Sequence, residues 1–308
     1  MSTILIIGAT GQQGSALLSA LSELVTKSQS PKPRLLALTR SVSSPKAQAL
    51  TSDYPNLDIQ VVEGNTKDPD PIFKAHPDIT SIFSYTLMPD EEAQMLPLIR
   101  LAASPETKVA HLVFSSVDRG GDAASWDNPT DIPHFASKHH IEHALRDACE
   151  GSGGKLAYTV LRPTAFMDNL NPTSFFGRAF AALWWTMPAD RPLQLVSVRD
   201  IGRFAARALL RPEEYRGRAI GLAGDDLTYL EARATYRRVA GAQLPQAWGL
   251  LGYAARWMKA EVGTMFTWFE EVAYGVDVEA LRREDPELQS LEMWLRESSR
   301  FECSKSAK

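Results

Sequence analysis

The chain has 308 residues, of which 44% are hydrophobic and 23% charged, and its formal net charge is −4 at pH 7. This composition is typical of a folded globular protein and excludes an intrinsically disordered chain. The slightly acidic balance argues against a broad nucleic-acid-binding surface, and the two cysteines, Cys149 and Cys303, exclude a disulfide framework and a multi-cysteine zinc site.

Short apolar segments alternate with amphipathic segments through the first half of the sequence. The apolar segments end at Gly, Pro or polar residues and predict six buried strands: ILIIG, RLLALT, IQVVEG, TSIFSYT, HLVFSS and AYTVLRP. Between them, stretches such as SALLSALSELVTK and ASKHHIEHALRDACE predict helices. This alternation predicts an α/β fold of the doubly wound, Rossmann type, with a parallel sheet and right-handed crossovers.

The pattern changes after Pro163, where aromatic residues become dense and strands become rarer. The segment LQLVSVRDIGRFAARALL still predicts a strand followed by a helix, and the rest predicts mostly helices. We therefore predict a Rossmann domain over residues 1–163 and a smaller, mainly helical C-terminal substrate lobe over residues 164–308. Residues 193–212 are expected to return to the first domain.

The first strand and helix are joined by a glycine motif. Gly8, Gly11 and Gly14 form G-x-x-G-x-x-G, which permits a tight turn and a close approach of the backbone to a pyrophosphate at the helix N-terminus. A plain glycine turn is the alternative. The position of the motif favours a dinucleotide site, so residues 1–163 are predicted to bind NAD(P).

The end of the second predicted strand bears on the choice of cofactor. NAD sites place Asp or Glu at this point to bind the ribose hydroxyls, whereas NADP sites use Arg. Here the strand ends in LALTR, so the position is Arg40, and no carboxylate follows before Asp53. The guanidinium and its neighbours predict an NADP(H) site, against the alternative of a solvated loop arginine. The neighbouring donors are Ser41, Ser43, Ser44 and Lys46.

Four motifs together resemble the NmrA-like family, which contains atypical relatives of the short-chain dehydrogenases. They are GATGQQG, VFSSV, HFASKHHIE and TVLRPTAFMDNL, in that order, and LVSVRDIGRFAARAL and MFTWFEEVAYGVDVEAL extend the similarity over nearly the whole chain. The resemblance implies a Rossmann-type domain with a small C-terminal lobe. It also implies one of three roles: an NADP(H)-binding redox sensor, a transcriptional co-regulator without turnover, or a reductase of aromatic or polyketide-like substrates.

The resemblance also implies a set of cofactor-binding positions. The pyrophosphate would lie on Gly8, Ala9, Thr10, Gly11, Gln12, Gln13 and Gly14, and the 2′-phosphate on Arg40, Ser41, Ser44 and Lys46. Asn65 and Thr66 would lie by the adenine, although many members have Asp at the first position; Tyr85, Thr86 and Leu87 would flank the ribose and pyrophosphate. Lys138 would reach the nicotinamide ribose, and the backbone of Pro163, Thr164, Ala165 and Phe166 would edge the nicotinamide.

The catalytic centre departs from that of typical short-chain dehydrogenases, which use Tyr-x-x-x-Lys and a serine. Lys138 occupies the lysine position, but His134 stands four residues earlier instead of tyrosine, and the serine falls on Ser115 or Ser116, of which we take Ser116. His134 would donate the proton, or Lys138 would act as acid or base itself, as the resemblance to isoflavone-reductase-like proteins implies. Alternatively Lys138 only anchors the ribose and His134 only caps the helix.

The aromatic residues of the second half favour a flat apolar ligand, although core or interface packing is the commoner role of such residues. They are Phe175, Phe176, Trp184, Trp185, Trp248, Tyr253 and Trp257. The sequence thus predicts an NADP(H)-dependent oxidoreductase acting on an aromatic small molecule, with a non-catalytic sensor that acts through a protein partner as the alternative. We expect a monomer or homodimer that does not bind nucleic acid directly.

Two further expectations concern metal and location. His139, Glu142 and His143 match the H-x-x-E-H pattern of inverted zinc peptidases, but no motif marks a third ligand, so no metal is predicted. The most apolar stretch, AFAALWWTMPA, is too short to cross a bilayer, and a strand beginning at Ile4 leaves no room for a signal peptide. We expect a cytoplasmic protein without a membrane contact.

Overall fold

The computed structural model describes residues 2–27, 31–171, 174–241, 243–244 and 260–299. The strands in this part of the chain are β1 Thr3–Ile7, β2 Arg34–Thr39, β3 Asp58–Glu63, β4 Ser81–Tyr85, β5 His111–Ser115, β6 Ala157–Pro163, β7 Ala165–Phe166, β8 Leu193–Val196, β9 Arg218–Leu222 and β10 Asp225–Leu227. The helices are α1 Gln12–Lys27, α2 Pro45–Asp53, α3 Asp70–Ala75, α4 Glu91–Ala103, α5 Asp122–Asp127, α6 Pro133–Gly151, α7 Phe175–Trp184, α8 Val198–Leu210, α9 Pro212–Tyr215, α10 Tyr229–Ala240, α11 Ala260–Glu271, α12 Val278–Glu284 and α13 Leu291–Glu297, with a 3₁₀ helix at Met167–Leu170.

The large sheet has seven strands in the order β3-β2-β1-β4-β5-β6-β9. Its strand pairs from β3 through to β6 are parallel. This is the doubly wound order predicted from the alternation of apolar and amphipathic segments, which confirms the predicted fold class. The order reverses between β1 and β4, and ligands of open α/β sheets bind at the carboxyl ends of strands beside such a reversal.

The centre of the sheet is covered on both faces. All five residues of β1 are buried, and so are all five of β5, as expected for parallel strands that lie between two layers of helices. In contrast, β3 alternates between exposed and half-buried residues because it lies at the edge of the sheet. Leu5, Leu36 and Phe114 belong to the core of this layer.

The six strands predicted from the first half of the sequence are all present, with bounds that agree to within one residue. The seventh strand of the large sheet, β9, was not predicted. Its sequence, RAIGL, contains a glycine and begins with arginine, and only its last three residues are buried, so it lacks the apolar run that marks the others.

The chain divides into two compact units. The first comprises Met1–Val117, Ala136–Arg162 and Ile201–Ile220, and the second comprises Asp118–Phe135, Pro163–Asp200 and Gly221–Lys308. The segment predicted to return to the first domain therefore divides near residue 200. Its strand β8 pairs with β7 and β10 in a separate three-stranded sheet, whereas most of α8 belongs to the first unit. None of the described helices is long and apolar enough to cross a membrane.

A buried histidine at the start of β5 adds a pH-dependent contribution to stability. His111 Nε2 lies 2.9 Å from Thr159 Oγ1, and that hydroxyl donates to the carbonyl of Tyr215 at 2.8 Å. The Thr159 oxygen must therefore accept from the imidazole. Burial, with a smaller contribution from Arg216, lowers the pKa of His111 to about 4.

The free energy of unfolding should fall as the pH drops from 6.5 towards 4. In this range His111 binds a proton in the unfolded chain but stays neutral in the folded protein, so acid favours the unfolded state. The difference between the pKa of His111 in the unfolded and folded states corresponds to a loss of unfolding free energy that should approach about 3 kcal/mol. Denaturant unfolding across this range should give a shallower pH dependence for His111→Gln. The matched variant His76→Gln, which removes a less buried imidazole, should keep the wild-type slope, and equal slopes in all three proteins would contradict the assignment.

Candidate functional site at the carboxyl ends of β1 and β4

The glycine motif forms a tight turn between β1 and α1. Gly8 adopts φ 68°, a conformation that favours glycine, and its carbonyl accepts a hydrogen bond from the Gly11 N–H at 2.8 Å. A side chain at Gly14 would overlap the backbone of Gly8 and Ala9. The turn is therefore packed directly against the first turn of α1, whose first N–H groups have no intrahelical acceptor.

Tyr85, the last residue of β4, covers this turn. Its hydroxyl donates to the Gly8 carbonyl at 3.2 Å, and a Cβ added at either Gly8 or Gly11 would overlap the phenol. Burial raises the pKa of Tyr85, and the positive charge of Arg40 opposes that increase. The predicted residues Gly8, Gly11 and Tyr85 are thus brought together, with Arg40 close enough to influence the phenol.

Arg40 is exposed and directly follows β2. The next residues form the turn into α2: Ser44 accepts from the Ala47 N–H at 3.3 Å as the N-cap, and its hydroxyl donates to the Ser41 carbonyl at 3.0 Å. Ser41 and Ser43 share a hydrogen bond of 2.9 Å, and Lys46 is exposed on the first turn of α2. Ser44 therefore orders the loop in which the predicted 2′-phosphate donors lie.

The same loop has a carboxylate neighbour that sequence reasoning missed. Glu63, at the end of β3, accepts a hydrogen bond from the Val42 N–H at 3.0 Å. No carboxylate lies between Arg40 and Asp53 in the sequence, but the pairing of β2 with β3 brings Glu63 to the loop. The loop is therefore less positive than its own sequence indicates.

The remaining predicted adenine and ribose contacts lie on exposed turns. Asn65 is exposed and its side-chain oxygen accepts from the Lys67 N–H at 3.0 Å, while Thr66 is half-buried. Leu87 is exposed, and both its N–H and its carbonyl are hydrogen-bonded to the side chain of Gln94. The loop after β4 is thus held by α4.

Lys138 lies in a buried hydrogen-bonded cluster, which we call the Lys138 cluster and which consists of Lys138, Thr86 and Glu91. Lys138 Nζ donates to Thr86 Oγ1 at 3.0 Å, Thr86 Oγ1 donates to Glu91 Oε1 at 3.2 Å, and Nζ lies 3.3 Å from the same carboxylate oxygen. The ammonium also lies 5.6 Å from the centre of the Phe114 ring. Because Thr86 follows Tyr85, the cluster is one residue away from the contact with the glycine turn.

Ser116 belongs to a second buried cluster. Its hydroxyl donates to Glu142 Oε1, and Arg162 Nη2 lies 2.7 Å from Glu142 Oε2. The side chains of Glu142 and Arg162 are both fully buried, so each compensates the charge of the other. The hydroxyl proton of Ser116 is therefore engaged by Glu142. Ser115, the alternative serine, is buried at the end of β5.

His134 and the segment Pro163–Phe166 belong to the second unit. His134 lies on the first turn of α6, and its ring stacks edge-on against Phe135 with 4.6 Å between centroids. The Thr164 N–H donates to the Leu222 carbonyl at 3.1 Å, and Ala165 and Phe166 pair with β8. The nicotinamide contacts proposed for these residues and the acid role of His134 remain predictions.

Of the predicted aromatic residues that the structure describes, one is buried and three are exposed. Trp184 is fully buried and its ring lies 5.9 Å from that of Tyr229, whereas Phe175 and Phe176 are exposed at the start of α7. Trp185 is also exposed. Trp248, Tyr253 and Trp257 lie outside the described residues.

The inverted zinc pattern gains no support from the geometry. His139 and His143 stack with 4.4 Å between ring centroids, but Glu142 binds Ser116 and Arg162. Within the described parts of the chain, no group of three or more His, Cys, Asp or Glu residues is arranged to hold a metal ion.

The first unit has the donors that a phosphorylated dinucleotide requires. The N-terminus of α1 presents N–H groups and a positive dipole end beside the glycine turn, and Arg40 supplies an exposed cation at the end of β2. Gln13, on the first turn of α1, has a buried side-chain oxygen without a hydrogen-bond donor in the described structure. These features fit the binding of a pyrophosphate and a further phosphate.

The sequence of the chain was compared with models of known protein families. The model of the NmrA-like family matches residues 1–295. The chain belongs to the NmrA-like family. This confirms the resemblance inferred from the sequence motifs.

Its relatives in this family differ in function. The chain is 26% identical over 170 residues to agroclavine dehydrogenase of Claviceps fusiformis, a match that spans 53% of this chain and 57% of that protein's length. NmrA, a negative transcriptional regulator crystallised with NADP, has a similar structure with a TM-score of 0.68 and 17% identity, covering 96% of this chain and 95% of that one. The triphenylmethane reductase of Citrobacter sp., crystallised with NADP(H), gives a TM-score of 0.69 and 17% identity, covering 96% and 99%.

Glu91 is the main site residue that sequence reasoning missed. It stands in the segment PDEE, where acidic residues at the start of a helix are commonplace and need no partner. A positional signal was nevertheless present, because the segment follows a strand predicted to end at the ligand-binding edge. The pairing with Lys138, 47 positions further on, follows only from the packing of α4 and α6 at that edge.

The contact between the glycine turn and Tyr85 can be tested by a double-mutant cycle. Gly11→Ala should lower the free energy of unfolding by about 1–3 kcal/mol because the new methyl group overlaps the Tyr85 hydroxyl. Tyr85→Phe in the same chain should recover most of the loss, since the ring carbon Cζ would then lie 3.5 Å from the methyl group.

Gly14→Ala is the matched control for this cycle. Its methyl group would overlap the backbone of Gly8 and Ala9, so Tyr85→Phe should not recover its loss. Thermal and urea unfolding of the five variants would measure these energies. Equal recovery of Gly11→Ala and Gly14→Ala would mean that Tyr85 does not pack as described.

Proposed function

We propose that this protein is an NADP(H)-dependent oxidoreductase of the NmrA-like type, acting on an apolar aromatic or polyketide-like small molecule. The observation that carries the proposal is the Lys138 cluster. A buried ammonium stands at the carboxyl end of β4, next to the residue that contacts the glycine turn. A proton donor is thereby built into the edge of the sheet where a nicotinamide cofactor would bind.

The choice of NADP(H) rests on the loop between β2 and α2. Arg40 is exposed and free to turn towards a 2′-phosphate, with Ser41 and Lys46 beside it. NmrA and the triphenylmethane reductase, both crystallised with NADP or NADP(H), support this cofactor by similarity of fold. The negative charge of Glu63 would repel a 2′-phosphate bound at this loop and so reduce the preference for NADP(H) over NAD(H).

In the proposed reaction, bound NADP(H) supplies or accepts the hydride at the nicotinamide. Tyr85 and the glycine turn would position the pyrophosphate, and Arg40 would bind the 2′-phosphate. Lys138 would donate a hydrogen bond, and in the reductive direction the proton, to the substrate oxygen or carbon that gains charge. Ser116 would contribute by orienting Glu142 rather than by touching substrate, because its proton is directed to that carboxylate.

The alternative is a redox sensor without turnover, in which the cofactor changes a conformational equilibrium that a protein partner reads. NmrA, the regulatory neighbour, has been crystallised with NAD as well as with NADP. The buried packing of Trp184 also favours this alternative, since this aromatic residue fills the second unit instead of lining a cavity. The Lys138 cluster makes turnover the preferred proposal.

Titration calorimetry with NADPH, NADP⁺ and NADH would test the cofactor assignment. Arg40→Ala should weaken NADPH binding about ten- to a hundredfold and spare NADH, because only NADPH loses a charge-assisted contact. The control is Lys32→Ala, which removes a cation at the other end of β2. Equal losses for both cofactors would remove the argument from Arg40. Strong preference for one redox state of NADP would favour the sensor.

Turnover would be tested by monitoring NADPH oxidation against a panel of aromatic and polyketide-like ketones and conjugated carbonyls. For any substrate found, Lys138→Met should reduce kcat about a hundredfold or more if the ammonium donates the proton. NADPH affinity, measured separately by calorimetry, distinguishes loss of chemistry from loss of the ribose anchor. Undiminished kcat in Lys138→Met would move the proton donor to another residue, with His134 the first to examine.

A further inference from the structure

Glu91 differs from Glu92, the other acidic residue of its helix. It is the first residue of α4, and only 5% of its side chain is exposed, compared with 41% for that of Glu92. Its Oε1 atom is shared by the Lys138 ammonium and the Thr86 hydroxyl, while Oε2 is buried without a donor in the described structure. Burying a carboxylate is costly, so this position requires a compensating charge.

Lys138, the partner of Glu91, is a buried cation and also needs a compensating charge. A lysine as buried as this one tends to lose its proton, because desolvation disfavours the ammonium. An opposite charge at 3.3 Å offsets that tendency, and Thr86 joins the two groups by accepting from one and donating to the other. The directions of these hydrogen bonds require Lys138 to be a donor and Glu91 to be an acceptor.

The other charged groups around Lys138 are already paired or belong to a different cluster. On α4, Glu92 lies 3.1 Å from His140 at the surface. On α6, Glu142 is bound to Arg162, and His134 precedes Lys138 by one helical turn. From β5 the neighbour is the uncharged ring of Phe114. Among the described contacts of Lys138, the carboxylate beside the ammonium is that of Glu91, with 3.3 Å between Oε1 and Nζ.

We propose that Glu91 is a positioning residue that keeps Lys138 protonated and fixes the direction of its ammonium through Thr86. The proposal deepens the proposed function and rests on it for its catalytic meaning. Glu91 does not replace the tyrosine as a proton donor, because its carboxylate accepts hydrogen bonds; its effect is to hold the proton on Nζ. Lys138 then acts as a donor towards the substrate and not as a base.

The experiment is NMR titration of the protein carrying ¹³C-labelled lysine, with the Lys138 signal assigned by its loss in Lys138→Met. Glu91→Gln preserves the shape of the side chain and removes its charge. It should lower the pKa of Lys138 by one pH unit or more, a tenfold or greater change in its acidity. Glu92→Gln, which removes the neighbouring carboxylate of the same helix, should leave that pKa unchanged.

Glu91→Asp guards against a folding failure of the first variant. It keeps the negative charge, but the side chain is shorter by one methylene group and the carboxylate lies further from Lys138. The pKa of Lys138 should therefore fall by less than in Glu91→Gln. If Glu91→Gln does not fold, a fall in Glu91→Asp with none in Glu92→Gln supports the proposal. Unchanged Lys138 titration in the folded Glu91 variants, or equal shifts in Glu91→Gln and Glu92→Gln, would overturn it.

The titration requires neither cofactor nor substrate, so it separates the two proposals. Failure of NADPH to bind the wild-type protein would defeat the proposed function while leaving the pairing of Glu91 with Lys138 measurable. Where a substrate is found, the alkaline limb of the pH–rate profile should move to lower pH in Glu91→Gln and stay in place in Glu92→Gln. A limb that does not move would overturn the role of Glu91 in turnover.

Discussion

A buried ammonium cannot remain charged without a buried partner, and this constraint organises the candidate site. Lys138 on α6 is compensated by Glu91 on α4, with Thr86 at the end of β4 between them. The pair therefore fixes the ends of two helices relative to one strand. Because Tyr85 is the neighbour of Thr86 and contacts Gly8, the same strand end also fixes the glycine turn. The pair at the carboxyl edge of the sheet and the glycine turn are thus connected through two consecutive residues of one strand end.

A second charge pair lies deeper and has a different consequence. Glu142 and Arg162 are fully buried and satisfy one another, and Ser116 completes their hydrogen bonding. A serine that would polarise a substrate in a typical short-chain dehydrogenase is here directed inwards. The same carboxylate is the glutamate of the H-x-x-E-H pattern, and here it is bound by Ser116 and Arg162. The Lys138 cluster contains Thr86, which directly follows the residue covering the glycine turn.

A reductase and a transcriptional regulator both share this fold, so the fold does not determine whether there is turnover. The proposed nucleotide contacts of the glycine turn and Arg40 fit either role. What would separate them is a side chain placed to move a proton beside the nicotinamide, and in this chain the buried Lys138 is the candidate. For this reason the proposal of catalysis rests on the Lys138 cluster rather than on the similarity of fold.

The sequence by itself determined the doubly wound sheet, six of its seven strands, the glycine turn and the loop of Arg40, because these depend on local apolar runs, glycine and chain order. It also determined family membership through motifs spread over the chain. Only the tertiary structure decided the partners of the buried charges: Glu91 with Lys138, Glu142 with Arg162, and Glu63 with the loop after β2. It likewise decided that β9 joins the large sheet and β8 the small one. Buried charges are paired across elements by packing, and no local pattern records which residues will meet.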